Sequence, residues 1–286
     1  MRHPSSQPHR SSNMAFLLGD HSRENAKRSI KGLIAHNAES GPDEPLRSLL
    51  YLVVNTKAPL VAKSDQTPRI IPLTNKLHKI DEKTIALITR DTSYRAQLVQ
   101  KDSPTDDLFH EIIPYTKAKL IGHSSKARLR LFRENDLIIA DARIYKHLPE
   151  VLGPQFYARN KKVPFKILMS RPTADKKTHG KIDQLFDAKY VRAQVKSIVG
   201  NTSFIPPLGT CLHIAVGYTD WKVSDLLVNI NDVVSYLTDE KFRPIGGVLR
   251  MANIHSVLIK TSNSVALPVK ESLVAPEDDE SELSDF

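Results

Sequence analysis

The sequence predicts a mixed α/β (α+β) protein in which an α/β unit is inserted into a flanking α+β unit. Between residues 77 and 163, short apolar runs such as "TIALIT" and "DLIIADA" alternate with helix-compatible segments. This alternation is typical of a parallel sheet with crossover helices. Outside that segment, strand-like runs accompany a helix stripe in "WKVSDLLVNINDVVSYL" that is wide enough to cover a sheet. The two styles predict two domains.

In chain order, the prediction begins with a disordered basic lead at residues 1–14, which has no apolar periodicity. One discontinuous domain comprises residues 15–76 and 164–269, and the inserted domain comprises residues 77–163. An acidic disordered tail follows at residues 270–286. The two chain crossings between the domains would form a hinge.

Within the first domain, "SRENAKRSIKGLIAH" has apolar residues at helical spacing, and "LLYLVVNT" is typical of a buried strand. The inserted domain is predicted to contain strands at "TIALIT", "KAKLIG" and "DLIIADA". Helices are expected at "SYRAQLVQ", "DDLFHEII" and "SKARLRLFREN". Further strands are predicted at "PFKILMS", "AKYVRAQVKSIV", "TCLHIAVGY" and "NIHSVLIKT".

The charge distribution favours a polyanionic partner. The net charge is +9, yet the last eleven residues hold six acids and no base, which leaves about +15 on residues 1–275. A body this basic favours nucleic acid. The alternative is a soluble protein of high pI without such a partner. The tail would then either screen the basic body or bind a basic partner.

The motifs that the sequence lacks indicate the cellular compartment of the protein and argue against an enzymatic activity. The single cysteine, Cys211, allows no intrachain disulfide and favours a reducing compartment, and no apolar run reaches the length of a membrane span. The inserted domain has no phosphate-binding glycine motif. The chain has no H-E-x-x-H or C-x-x-C motif and no nucleophile elbow. We therefore expect an intracellular protein without enzymatic activity, cofactor or metal.

Three basic segments are candidate RNA contacts. In "YVRAQVKS", a strand would place Tyr190, Arg192 and Lys196 on one face, where an aromatic ring stacks a base and cations follow phosphates. The alternative is a solvated outer face. A helix at "SKARLRLFREN" and the loop "RNKK" supply further cations, with a solvated helix surface and a hinge loop as the alternatives. Those secondary candidates for RNA or partner contact are Lys126, Arg130, Arg133, Arg159, Lys161 and Lys162.

Several stretches together resemble the ribosomal protein L1 family. "KSDQTPR" is similar to its S-D-Q-x-x-R segment, and "LPEVLGPQF" is similar to its V-L-G-P turn. The closing order is also similar: strand, long helix, "RPIGGVL", strand and a Thr/Ser-rich loop. The resemblance runs from about residue 22 to residue 269. Variants such as "PRIIPLT" and "YVRAQ" resemble the nucleolar branch of the family, whose members assemble the small-subunit precursor. A sister branch acts on the large-subunit precursor.

The resemblance implies a split β-α-β domain that carries the main RNA surface and an inserted Rossmann-like, three-layer domain without a nucleotide. Where the ribosomal protein has a T-M-G-P-S-like loop, this chain has "KTSNS", and only the final serine is kept. The resemblance further implies that the S-D-Q loop and Arg69 flank the "KTSNS" loop. The RNA-facing residues implied by the two loops are Ser64, Asp65, Gln66, Arg69, Lys260, Thr261, Ser262, Asn263 and Ser264.

The same resemblance implies a monomer within a large nucleolar ribonucleoprotein. Its partners would be pre-ribosomal RNA and other assembly factors of the small-subunit processome, with no membrane and no small-molecule substrate. The alternatives within the family are a large-subunit assembly factor and a divergent ribosomal protein. From other classes, the alternatives are an enzyme that uses the Rossmann-like domain and a protein adapter whose basic face binds acidic tails.

Overall fold

The computed structural model describes residues 15–39, 47–92, 94–158, 162–172, 186–242 and 249–271. Within these ranges, no helix is long and apolar enough to cross a membrane. The strands are β1 Leu49–Thr56, β2 Arg69–Ile71, β3 Ile85–Thr89, β4 Glu111–Pro114, β5 Leu137–Asp141, β6 Phe165–Ile167, β7 Thr202–Phe204, β8 Cys211–Tyr218, β9 Ile254–Lys260 and β10 Leu267–Lys270. The helices are α1 Asp20–Glu39, α2 Arg95–Leu98, α3 Tyr115–His123, α4 Ser125–Glu134, α5 Leu148–Leu152, α6 Pro154–Tyr157, α7 Ala188–Gly200 and α8 Val223–Thr238.

The first sheet is antiparallel and has the strand order β10-β9-β1-β8. Along β1, Leu50, Leu52 and Val54 point to one face and are at most 1% exposed. They form one apolar core with α1 and α8. Because side chains alternate along a strand, Tyr51 and Asn55 lie on the opposite face.

The second sheet is parallel and has the strand order β4-β3-β5-β6. All five residues of β3 are buried, as in a central strand with both faces covered. One face packs against Ala118, Leu131 and Phe156 from α3, α4 and α6. The other face packs against Val191 and Val195 of α7. Helices therefore cover both faces of this sheet, and the mixed α/β class that the sequence predicts is confirmed.

The segment "AKYVRAQVKSIV" forms helix α7, so the prediction of a strand there was wrong. Asp187 caps the helix by accepting the backbone N–H of Tyr190 at 3.0 Å. Val191, Val195 and Ile198 follow helical spacing and are buried against the second sheet. Ala193, which a strand would have placed beside Val191 and Val195, is exposed.

The first crossover of the second sheet also differs from its prediction. "KAKLIG" lies within helix α3, and the strand comes just before it, at Glu111–Pro114, where it overlaps the end of the predicted helix "DDLFHEII". The "EII" run pairs in parallel with β3, with Ile112 opposite Leu87 and Ile113 opposite Ile88. Tertiary pairing decided this segment, because a short apolar run fits either element.

The second unit extends beyond the predicted boundary at residue 163. Strand β6 pairs with β5, and α7 packs on the same sheet. The chain enters and leaves at adjacent points, since the Leu77 N–H donates to the Gly200 carbonyl at 2.9 Å. The Leu73 N–H likewise donates to the Asn201 side chain at 3.0 Å. Among the described residues, the second unit therefore runs from residue 77 to residue 200, because β6 completes the parallel sheet and α7 covers its other face.

Several sequence predictions fall outside the described residues. These are the disordered lead at residues 1–14, the acidic tail from residue 272 onward, and most of the "RPIGGVL" turn. Lys270, which was assigned to the tail, is the last residue of β10.

Candidate nucleic-acid interface

The predicted "KTSNS" segment is a loop that begins at the end of β9 and leads into β10. The Thr261 N–H donates to Ser264 Oγ at 2.9 Å, and the Ser264 N–H donates to Thr261 Oγ1 at 3.2 Å. Thr261 is 6% exposed, whereas Ser262 and Asn263 are exposed. The reciprocal bonds fix the loop from within, so its two central side chains are the ones presented to solvent.

Lys260 lies directly opposite Tyr51 in the β1–β9 pairing. It therefore shares the face of the first sheet that α1 and α8 leave uncovered. Burial raises the pKa of the Cys211 thiol, and the positive charge of Lys260 opposes that rise. The Lys260 ammonium thus contributes positive potential to this open face.

Residues that the sequence reasoning missed lie beside the loop. A cavity of about 210 Å³ is formed between the loop, the start of β1 and the end of β8. The guanidinium of Arg47 stacks over the Tyr218 ring at 4.0 Å from its centroid and lies 3.4 Å from the Asp220 carboxylate. Its side chain remains half exposed. The lining residues are Arg47, Ser48, Leu49, Tyr218, Thr261, Ser262 and Asn263.

Tyr218 is held in place by its neighbours. Its hydroxyl lies 3.2 Å from Nε2 of His78, and its ring packs at 5.9 Å from that of Trp221. Burial lowers the pKa of His78 below its usual 6.5, and the charge of Lys83 adds to this lowering. A neutral imidazole can accept a hydrogen bond from the Tyr218 hydroxyl, which fixes the phenol ring under the arginine. We call Arg47, Tyr218, Ser262 and Asn263 the loop-end site.

The S-D-Q segment does not flank the loop-end site along the strand. It follows the end of β1, whereas the start of β1 pairs with the end of β9, so the two loops attach to opposite ends of an eight-residue strand. That strand is roughly 25 Å long. The sequence prediction that the two loops lie together is therefore not what the β1–β9 register gives.

The S-D-Q residues instead contact one another and the second unit. Asp65 accepts the Thr67 N–H at 2.9 Å and pairs with Arg69 at 3.1 Å. Burial opposes these contacts, but together they hold the pKa of Asp65 below its usual value. The Gln66 carbonyl lies 3.4 Å from the Tyr145 hydroxyl of the second unit. Ser64 is exposed at the start of this turn.

The predicted aromatic and cationic stripe does not exist as a stripe, because α7 is a helix. Tyr190 and Arg192 are two residues apart and point in nearly opposite directions. Arg192 donates to the Pro104 carbonyl at 2.5 Å and to Asp107 at 2.7 Å. Lys196 is exposed one turn later. Arg192 thus ties α7 to the loop that precedes β4.

Some of the secondary cations are exposed, and others are engaged in contacts within the protein. Lys126, Arg130 and Arg133 are exposed on α4, and Arg130 donates to both carboxylate oxygens of Glu134 at 2.8 and 2.9 Å. Lys162 donates to the Asn135 carbonyl at 2.6 Å and also to the Phe132 carbonyl. It therefore caps the C-terminal end of α4. Arg159 and Lys161 lie outside the described residues.

The open face of the first sheet faces the second unit across a cleft of about 640 Å³. Tyr51, Cys211 and His213 line one side, and Lys162 and Phe165 line the other. Cys211 Sγ lies 3.3 Å from Nε2 of His213. In the part of the chain that the structure describes, no group of three His, Cys, Asp or Glu residues is placed to hold a metal ion.

Sequence comparison relates this chain to known proteins along most of its length. The chain matches the Ribosomal protein L1p/L10e family over residues 21–265. It is 39% identical to Ribosome biogenesis protein UTP30 of Saccharomyces cerevisiae, over 91% of this chain and 95% of that protein. It is 28% identical to Ribosomal L1 domain-containing protein 1 of Mus musculus, over 59% of this chain and 32% of the mouse protein. A putative ribosome biogenesis protein of Schizosaccharomyces pombe is 24% identical, over 85% of this chain and 77% of that protein. The family match extends over most of the chain, from the start of α1 to the loop after β9, and the chain therefore belongs to the ribosomal L1 family.

Proposed function

We propose that this protein is a ribosome biogenesis factor that binds pre-ribosomal RNA through the loop-end site and catalyses no reaction. The observation that carries the proposal is the Arg47–Tyr218 stack beside the exposed Ser262 and Asn263. Guanidinium and ammonium groups bind phosphates, and small hydroxyl and amide side chains allow a backbone to approach closely.

Charge supports a nucleic-acid partner over an uncharged one. Residues 1–275 carry about +15 once the six acids of the last eleven residues are set apart. Arg47 and Lys260 both lie at the loop end of the first sheet. Binding through phosphates predicts that affinity falls steeply and log-linearly as the salt concentration rises.

The proposed particle is the nucleolar precursor of the small ribosomal subunit. The support is the similarity to UTP30 along nearly the whole of both chains. Within such a particle the protein would be a monomer that contacts pre-18S rRNA and other assembly factors. A large-subunit precursor is the competing assignment within the family, and binding of acidic proteins is the competing assignment outside it.

In-cell crosslinking of the tagged full-length protein, followed by sequencing of the bound RNA, tests the proposal. We expect reads that concentrate on one segment of the small-subunit rRNA precursor. Charge reversal in Arg47→Glu should remove most of these reads, whereas Lys31→Glu, at an exposed position of α1, should leave them unchanged. Reads on the large-subunit precursor would reassign the particle. Background-level reads from the unchanged protein would overturn RNA binding.

A further inference from the structure

A second group of aromatic and basic side chains lies on the inserted unit, away from the loop-end site. It occupies a groove of about 500 Å³ between α3 and α5, which we call the ring groove. Neither the sequence prediction nor the family resemblance assigned a function to these residues together. The lining residues are Tyr115, Lys119, Gly122, His123, His147, Glu150 and Val151.

The two helices that form the groove pack closely at Gly122, which is one of its lining residues. A Cβ atom on Gly122 would lie 2.5 Å from the Val151 carbonyl oxygen and 3.2 Å from its Cγ1 atom. Only glycine allows α3 to approach α5 this closely. Gly122 therefore sets the close spacing of α3 and α5, and with it the distance between the rings and charged groups on either side of the groove.

The walls carry two rings and a cation. The rings of Tyr115 and His147 lie 6.3 Å apart between centroids, at an interplanar angle of 43°. The Lys119 ammonium lies 4.8 Å from the Tyr115 centroid. Lys119, His123 and His147 are exposed, and Tyr115 is half buried. These rings are therefore accessible at the surface, and their backbones are held in α3 and in the turn that precedes α5.

We propose that the ring groove binds an unpaired nucleotide of single-stranded RNA. The base would stack on Tyr115 and His147, and Lys119 would bind the adjoining phosphate. This proposal extends the RNA-binding function proposed above to a second site and rests on that function. Base–aromatic stacking accepts any base, because every base has a π face.

The contact between Lys119 and Tyr115 would have to give way when a base stacks on Tyr115. A cation–π contact at an exposed site is weaker than the stacking of a base on an aromatic ring. A base can therefore displace Lys119 from Tyr115, and the flexible lysine side chain stays close enough to reach a phosphate. Glu150 is the one acid that lines the groove, and its carboxylate can accept a hydrogen bond from a base amino group.

The neighbouring α4 surface is less suited to this task. Its central cation, Arg130, is already held by both oxygens of Glu134. On α3 itself, Lys117 pairs with Glu111 at 3.3 Å, on the side away from the ring groove. Lys117 therefore provides a matched control for Lys119, with the same charge on the same helix.

The experiment measures the binding of a fluorescently labelled, unstructured single-stranded RNA to the full-length protein by anisotropy. Tyr115→Ala should weaken binding about tenfold. Tyr115→Phe keeps the ring and should bind like the unchanged protein, which separates stacking from folding. Lys119→Ala should reduce the slope of log affinity against log salt concentration by about one, because one phosphate contact is lost. Lys117→Ala should leave that slope unchanged.

A parallel variant of the loop-end site separates the two proposals. If Tyr115→Ala binds like the unchanged protein while Arg47→Glu binds weakly, the ring groove is overturned and the loop-end site stands. If only Tyr115→Ala and Lys119→Ala weaken binding, the ring groove stands without the loop-end site. Equal weakening by Tyr115→Phe and Tyr115→Ala would overturn stacking as the mode of binding.

Discussion

Arg47 and Arg192 show two opposite uses of arginine in the same basic chain. Arg47 lies on the Tyr218 ring at the loop end of the first sheet, with half of its side chain in solvent. Arg192 uses its guanidinium to bind Asp107 and the Pro104 carbonyl, which ties α7 to the loop that precedes β4 within the second unit. Sequence alone pointed to Arg192 and missed Arg47. Net charge therefore predicts a polyanionic partner without identifying which cations contact it.

The largest expected effect tests whether α7 is a helix. Val195→Asp should lower the free energy of unfolding by about 4 kcal/mol or more, because it buries an unpaired charge. Ala193→Asp should change it by less than about 0.5 kcal/mol, because that position is exposed. Chemical denaturation of both variants measures the difference. Equal destabilisation would return the segment to a strand with both residues inward.

The second prediction separates the two arginines by function. Arg47→Ala should weaken RNA binding by about tenfold and reduce its salt dependence, because a phosphate contact is lost. Arg192→Ala should leave affinity within about twofold, since its guanidinium is engaged inside the protein. Anisotropy titrations at several salt concentrations measure both. A weaker complex with Arg192→Ala, at unchanged stability, would restore α7 to the RNA surface.

The loop itself provides the third test. Thr261→Val should lower the free energy of unfolding by about 1 kcal/mol, because the Ser264 N–H loses its acceptor. Ser262→Ala should leave stability unchanged, because the two bonds that hold the loop join Thr261 and Ser264. It should weaken RNA binding, because an exposed hydroxyl of the loop-end site is lost. Thermal unfolding and RNA titration of the two variants distinguish the residue that holds the loop, Thr261, from the residue that contacts RNA, Ser262. The same pattern in both variants would contradict this division.

A smaller effect is expected for Arg192 on stability. Its ion pair with Asp107 is more than a third exposed on both sides, so Arg192→Ala should lower the free energy of unfolding by less than about 1 kcal/mol. Asp107→Asn should cost no more than this, because Arg192 keeps its hydrogen bond to the Pro104 carbonyl. The double variant should cost little more than Arg192→Ala alone, because Arg192→Ala already removes the ion pair. If the losses in unfolding free energy from the two single variants simply add in the double variant, the Arg192–Asp107 ion pair does not contribute to stability.

The smallest effect concerns pH at the loop-end site. The pKa of His78 is lowered by burial from its usual 6.5, so the unfolded chain binds a proton more readily than the folded chain. His78 therefore makes stability fall as the pH drops through about 6.5 toward the lower folded pKa. His78→Asn should flatten this part of the curve of unfolding free energy against pH. An unchanged curve would show that His78 titrates alike in both states.

Some features followed from local patterns. The apolar run of β1 and the helix stripe of α8 determined one packed layer, because their periodicity leaves few ways to bury the apolar residues. The polar run from Lys260 to Ser264 gave the position of the loop that follows the strand at "NIHSVLIKT", whereas β10 after the loop was not predicted. The net charge indicated a polyanionic partner. These features depend on short stretches of chain or on composition, which sequence contains in full.

Helix α7 shows where local pattern was insufficient. Val191 and Val195 share a face in a strand and in a helix alike, and Ile198 together with Val199 distinguishes the two. The helical spacing of all four residues was the signal available in the sequence. Their common burial on the second sheet decided between the two periods.

By itself, the sequence determined the mixed α/β class, the family, the basic character and the loop of small polar residues. Only the tertiary structure placed Arg47 and Tyr218 at that loop, because antiparallel register brings the start of β1 and the end of β8 beside the end of β9. It also decided that Lys162 caps a helix and that Arg192 bridges two elements. Contacts between residues far apart in sequence leave no local pattern, so they appear only when the chain is packed.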